Sequence, residues 1–133
     1  LLRAIMEGVA YCLADCNDLL KNQGIEIKSM RVCGGGSRSP VWRKIMADLY
    51  QCNIHTMKQE EGPAYGAAIL AGIGAGIFSD IHSACKKFIK EDKTIEWSHE
   101  EAKKYEKYHQ IYKKFYFDIK EDLSFLAHLS EIE

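Results

Sequence analysis

The run Cys33-Gly34-Gly35-Gly36-Ser37-Arg38-Ser39-Pro40 gathers the groups best suited to holding a ligand. Glycines after a strand reach positive φ and let a ligand approach the backbone with no Cβ in the way. Amides exposed at such a turn, with a helix N-terminus behind them, form a concavity suited to phosphate oxygens. Ser37 and Ser39 add hydroxyls, and Arg38 can reach a phosphate or point into water. No Gly-Lys-Ser/Thr follows, so the loop is not a Walker A loop, and the spacing of a GxGxxG fingerprint is missing. By itself, a triple glycine also suits an ordinary tight turn.

A second constellation follows in Glu61-Gly62-Pro63-Ala64-Tyr65-Gly66-Ala67-Ala68-Ile69-Leu70-Ala71-Gly72. Ala64, Ala68, Gly72 and Gly76 lie four apart on one line, and Ala67, Ala71 and Ala75 on the next. Glycine within a helix costs up to ~1 kcal/mol against alanine, so close packing is expected to compensate. The pattern reads as a tightly packed core helix that holds the glycine loop against a sheet.

Several elements must position these residues. Leu2, Ile5, Val9, Leu13, Cys16 and Leu20 recur at helical steps, and Asn22-Gln23-Gly24 supplies a stop. Residues 25–32 read as a strand leading into the glycines. Ser39 is placed to cap a helix with Pro40 in its first turn, and Trp42, Ile45, Met46, Leu49 and Tyr50 give it an apolar side. A strand around Asn53 to Met57 and a helix from Pro63 to about Ile77 follow. Helix, strand, helix, strand, helix implies an α/β layer with largely parallel strands. Two strands are too few for a complete sheet, so the sheet is expected to be incomplete. Residues 86–93 read as a surface connection with one edge strand before Trp97. Ser98 and Glu101 form a capping-box pattern. Tyr105, Tyr108, Tyr112, Phe115, Ile119, Leu123 and Leu126 then form a stripe for a long terminal helix that packs on the protein.

The 133 residues suffice for one compact domain, with 47% hydrophobic and 28% charged residues, which excludes whole-chain disorder. A formal net charge of -1 offers no field for gathering nucleic acid or an anionic membrane, and neither partner is expected. Residues 64–78 are too short and glycine-rich to span a bilayer. Five cysteines without a CxxC pair argue against a disulfide framework or a zinc site and fit a reducing, cytoplasmic compartment. Cys12 and Cys16 share a helical face and are expected as small buried thiols beside Val9 and Leu20. The chain opens on Leu1 in mid-pattern, as an internal piece of a longer protein would.

Taken together, three segments resemble the C-terminal domain of the FGGY carbohydrate kinases. Arg3-Ala4-Ile5-Met6-Glu7-Gly8-Val9-Ala10 resembles the start of its last large helix. Gly34 through Arg43, with Met46-Ala47-Asp48, is similar to its adenine-nucleotide loop and the helix after it. Glu61 through Ala68 is similar to the next helix, in the form typical of bacterial xylulokinases. The resemblance covers residues 1–85, and the terminal helix is compatible with it.

That resemblance implies an α/β fold that is the C-terminal part of an actin-like ATPase domain (ribonuclease H-like), an incomplete sheet with packed helices and a long C-terminal helix. Residues 1–133 would be a partial C-terminal, nucleotide-binding domain, with the N-terminal sugar-binding domain absent. The implied cofactors are ATP and Mg2+, and the implied partners ATP or ADP and a sugar, with a homodimer as a common family state. The implied ATP-binding residues are Gly34, Gly35, Gly36, Ser37 and Ser39, with Gly35 near the α-phosphate and Ser39 near the adenine, where glycerol kinases typically carry asparagine. The implied chemistry is in-line transfer of the γ-phosphoryl group from Mg-ATP to a sugar hydroxyl, with an aspartate as base. That aspartate lies upstream of the matched region, and Asp15, Asp18, Asp48 and Asp80 do not occupy its motif. No catalytic or metal-ligating residue is therefore assigned here, and this chain alone is expected to be inactive. D-xylulose is the implied substrate; gluconate, glycerol, ribulose or rhamnulose kinases and a non-catalytic actin-like module are the alternatives.

Overall fold

The structure, a computed structural model, describes residues 1–58 and 62–130. Its elements are α1 (Leu2–Asn22), β1 (Ser29–Val32), a 3-10 turn (Gly35–Arg38), α2 (Pro40–Tyr50), β2 (Asn53–Met57), α3 (Gly62–Gly74), α4 (Ile81–Phe88), β3 (Glu91–Ile95) and α5 (His99–Ser130). The sheet order is β1-β2-β3, with β1 parallel to β2 in the register Val32 to Thr56 and β3 antiparallel to β2. The ladder begins only at Ser29, so residues 25–28 of the expected strand lie outside it, with the Ile25 amide closing the end of α1 on the Leu20 carbonyl at 3.0 Å. α4 was not anticipated: residues 81–88 form a helix because Asp80 caps it, accepting from the Ser83 amide at 2.8 Å. The edge strand expected before Trp97 is β3.

α2 lies at the centre. All six residues from Ile45 to Tyr50 are buried. Ile54 and partly buried Met30, Val32 and Ile95 meet it from the sheet, while Ala10, Tyr11, Ala14 and Tyr105 meet it from α1 and α5. Asp48, 2% exposed, accepts from Lys44 Nζ at 2.8 Å and from the Ser98 amide at 2.7 Å, which ties α2 to the start of α5. That bond replaces half of the expected capping box. The Glu101 amide donates to Ser98 Oγ at 3.5 Å, but the Glu101 carboxylate pairs with Lys104 at 2.7 Å.

The buried faces differ from those the periodicity suggested. On α1 the inward residues are Ala10, Tyr11 and Ala14, with Met6 partly buried, whereas Leu2, Ile5, Val9, Leu13 and Leu20 are exposed. The small side chains of Ala10 and Ala14 allow close approach, and the Tyr50 hydroxyl donates to the Ala10 carbonyl at 3.2 Å. Cys12 and Cys16 turn outward with the apolar stripe, so they are exposed thiols and not buried ones; all five cysteines are free. α3 is likewise no core helix in this chain. Only Ile69 and Gly72 are buried, and Ala64, Ala67, Ala68, Ala71, Ala75 and Gly76 are exposed. The other layer that small residues prepare for is not among the described residues.

On α5 the packed positions are Ala102, Tyr105 and His109, with Tyr112 half-buried, while Tyr108, Phe115, Leu123 and Leu126 are exposed. His109 displaces Tyr108 from the stripe because its ring stacks on Tyr11 at 5.7 Å and its Nε2 meets Asp15 Oδ1 at 2.8 Å. Lys113 reaches Asp18 one turn on. The helix then outruns α1, whose last residue is Asn22. No helix among the described residues is long and apolar enough to cross a membrane.

Two outcomes follow from this packing. Leu2 is 75% and Phe117 73% exposed among many bare apolar side chains, so the chain on its own is expected to self-associate as concentration rises. Sedimentation velocity checks this, and a monodisperse monomer at high concentration would contradict it. Alkaline pH is expected to unfold the chain. Burial pushes the Tyr11 phenol up to about 12, raises Tyr50 further and raises the Cys52 thiol, and the hydrogen bond from Lys113 to Asp18 raises the Lys113 ammonium. Each folded value exceeds its unfolded value, so the stability is complete below the unfolded values and is lost as pH rises through the folded ones. The melting temperature, followed by circular dichroism, should fall between about pH 9 and 12. Tyr11→Phe should soften the fall.

Candidate functional site

The glycine loop stands at the carboxyl end of β1, where ligands of open α/β sheets characteristically bind. Gly34 holds φ +85°, a left-handed conformation that a side chain would strain, and this turns the chain out of the strand. The 3-10 turn is closed by its own donors. Ser37 donates through N and Oγ to the Gly34 carbonyl at 3.1 and 2.7 Å, and the Ser39 amide donates to the Gly36 carbonyl at 3.1 Å. Gly35 and Gly36 open the turn, so their amides have no acceptor one turn back. A Cβ at Gly35 would meet no heavy atom within 4 Å. That part of the backbone faces open space, as close approach by a ligand requires.

Gly36 serves packing. A Cβ there would lie 1.9 Å from Cζ3 of Trp42, so the indole fixes the loop on the first turn of α2. Ser39 caps that helix, its Oγ accepting from the Trp42 amide at 3.3 Å. Of the sequence-derived site residues, Gly34, Gly35, Gly36, Ser37 and Ser39 thus share one loop, and both serine hydroxyls are engaged in its own turns.

The start of α3 comes to the same place: a Cβ at Gly62 would lie 2.8 Å from Cys33 Sγ, immediately before the loop. Glu61, which precedes it in the second motif, and Glu60 lie outside the described residues. Beside this contact an apolar cleft of about 180 Å³ opens between Cys33 and Met57 at the strand ends and Gly62, Tyr65 and Ile69 of α3. A polar cleft of about 60 Å³ lies under the loop, lined by Ser37, Arg38, Arg43, Thr56 and Asp92. Arg43, Thr56 and Asp92 were not singled out from the sequence. Arg43 lies within the segment from Gly34 through Arg43, but its spacing does not mark it as facing the loop.

The aspartates considered above are engaged away from the loop. Asp15 pairs with His109, Asp18 with Lys113, Asp48 with Lys44, and Asp80 caps α4, whose amide hydrogen bond from Ser83 holds its carboxyl below the usual range. Asp15, Asp18 and His109 are the metal-like group found among the described residues. The Lys113 ammonium already sits against both carboxylates, so the group contains its own cation.

Residues 1–75 match the description "FGGY family of carbohydrate kinases, C-terminal domain". This chain belongs to the FGGY family. A xylulose kinase of Staphylococcus epidermidis is 39% identical over 90% of the chain. The ligand-bound xylulose kinase of Lactobacillus acidophilus superposes with a TM-score of 0.79 at 25% identity over 88% of the chain, and the ADP-containing glycerol kinase of Plasmodium falciparum with 0.65 at 27% over 77%. The chain spans 24%, 24% and 21% of these proteins' lengths, respectively. Its fold is the actin-like fold of the C-terminal part of FGGY sugar kinases, here mostly helical around a three-stranded sheet.

The different parts played by adjacent glycines can be separated by substitution. Gly36→Ala should destabilise the chain by about 1–3 kcal/mol in urea unfolding because the methyl group overpacks against Trp42. Gly35→Ala, with open space at its Cβ, should stay within about 0.5 kcal/mol of the wild type. Equal losses for the two variants would contradict the assignment of Gly36 to packing.

Proposed function

We propose that this chain is the nucleotide-holding part of an ATP-dependent sugar kinase whose substrate is D-xylulose. One observation carries the reading: within the region that matches the family, a strand runs into a glycine turn in which a Cβ at Gly35 would meet only open space. Peptide donors at such a turn suit phosphate oxygens without any excess of basic residues. This accords with the net charge of -1. The Staphylococcus epidermidis relative is a xylulose kinase, and the Plasmodium falciparum neighbour contains ADP, which supports both the sugar and the nucleotide.

In this reading Gly34, Gly35 and Gly36 shape the cradle, with Gly35 against the α-phosphate. Ser37 and Ser39 hold the cradle's form, and Ser39 still has a hydroxyl proton to offer toward the adenine. Bound Mg-ATP supplies the γ-phosphoryl group for transfer. The open loop fits the nucleotide; no described residue is assigned to Mg2+. Transfer to a sugar hydroxyl also needs a carboxylate to take the proton, and Asp15, Asp18, Asp48 and Asp80 are engaged away from the loop. The base and most of the sugar site therefore belong to other parts of a complete enzyme.

The test is ADP release by the complete protein with Mg-ATP and a panel of D-xylulose, gluconate, glycerol, L-ribulose and L-rhamnulose. Turnover on D-xylulose above the others is expected. Preference for another sugar would correct the substrate. No turnover on any of them, by a folded protein that binds ATP, would favour a non-catalytic actin-like module.

A further inference from the structure

Arg43 occupies an unusual position. It lies on the first turn of α2, directly after the tryptophan that fixes the loop, and its side chain lines the polar cleft under Ser37 and Arg38. Its Nε is buried with no hydrogen-bond partner. Arg3 and Arg31 show what a bracing arginine does in this fold: each gives its Nε to a carboxylate, Glu7 and Glu91, at 2.9 Å. Arg43 makes no such pair among the described residues. Asp92 lines the same cleft, but no ion pair joins them. A buried guanidinium N–H without an acceptor is costly, and a planar donor fork is matched best by an oxyanion.

We propose that Arg43 is a binding residue of this site, its guanidinium taking an oxyanion of the nucleotide's phosphate chain in the cleft between the glycine turn and the end of β2. The inference rests on the nucleotide reading above and adds to it a charged donor beside the neutral amides of the turn. Thr56, whose Oγ is already engaged with Lys93 of β3, forms the floor of the cleft. Asp92 carries the opposing charge there, so the cleft selects a ligand that the loop amides also hold over a free anion.

Calorimetric titration of the complete protein and its R43Q and R43K variants tests this, with ADP, adenosine and inorganic phosphate as probes. R43Q is expected to weaken ADP about ten- to a hundredfold and leave adenosine unchanged, with R43K between, because lysine keeps the charge and loses the fork. Equal losses for ADP and adenosine would show a structural role and overturn the proposal, as would unchanged ADP affinity. Inorganic phosphate bound by the wild type and lost in R43Q, with ADP unaffected, would make the ligand a free anion and also overturn it. If R43Q fails to fold by its melting curve, R43K decides alone by the same ADP-against-adenosine comparison. A wild type that binds neither ADP nor adenosine removes the nucleotide reading itself, a failure distinct from any change confined to the variant.

Discussion

Burial of α2 on both sides is the constraint on which the rest of this structure depends. Six consecutive buried residues leave no solvent face at that end of the helix, so the sheet must lie on one side and α1 with α5 on the other. Asp48 makes the arrangement specific. Its carboxylate leaves water only because Lys44 and the Ser98 amide replace the lost hydration, and the second of those bonds fixes where α5 begins. The opposite end of α2 carries Ser39 and Trp42, so the helix that organises the core also anchors the glycine loop.

Local signals in the sequence specify structure where the chemistry is local. The Ser39 cap, Pro40 in the first turn, the strand at Asn53–Met57 and the glycine turn after β1 each follow from residues within a few positions of one another. The loop residues were legible for the same reason. Burial was not, because it depends on partners. α1 is apolar on more than one face, and spacing alone could not show that Ala10 and Ala14 turn inward while Leu2, Ile5, Val9 and Leu13 stay bare. His109 entered the packed stripe through Asp15 and Tyr11, which are remote in sequence. Arg43 and Thr56 escaped notice because their shared cleft forms only when α2 and β2 come together.

Membership of the FGGY family and the bare faces of α1 and α3 explain each other. Matched proteins are about four times longer than this chain, with shares of 24% and 21%. A stripe of leucine, isoleucine and valine on one helix and a line of alanines on another suit contact with further protein, one by area and the other by close approach. The candidate site is partial in the same way: Asp15, Asp18, Asp48 and Asp80 are engaged in structure away from the glycine loop.

The two edges of the sheet are chemically unequal. β3 presents Glu91, Asp92 and Lys93 at exposed positions, and a short, charged edge of this kind discourages another strand from pairing. Among the described residues β1 borders β2 on one side only, and it is the strand that runs into the glycine turn. A strand that extends the sheet is thus directed to the β1 side and comes to rest next to the loop. Enlarging the sheet and walling the glycine loop become a single geometric event, so the order of strands in the hydrogen-bonded ladder also dictates which backbone will stand across from Gly35.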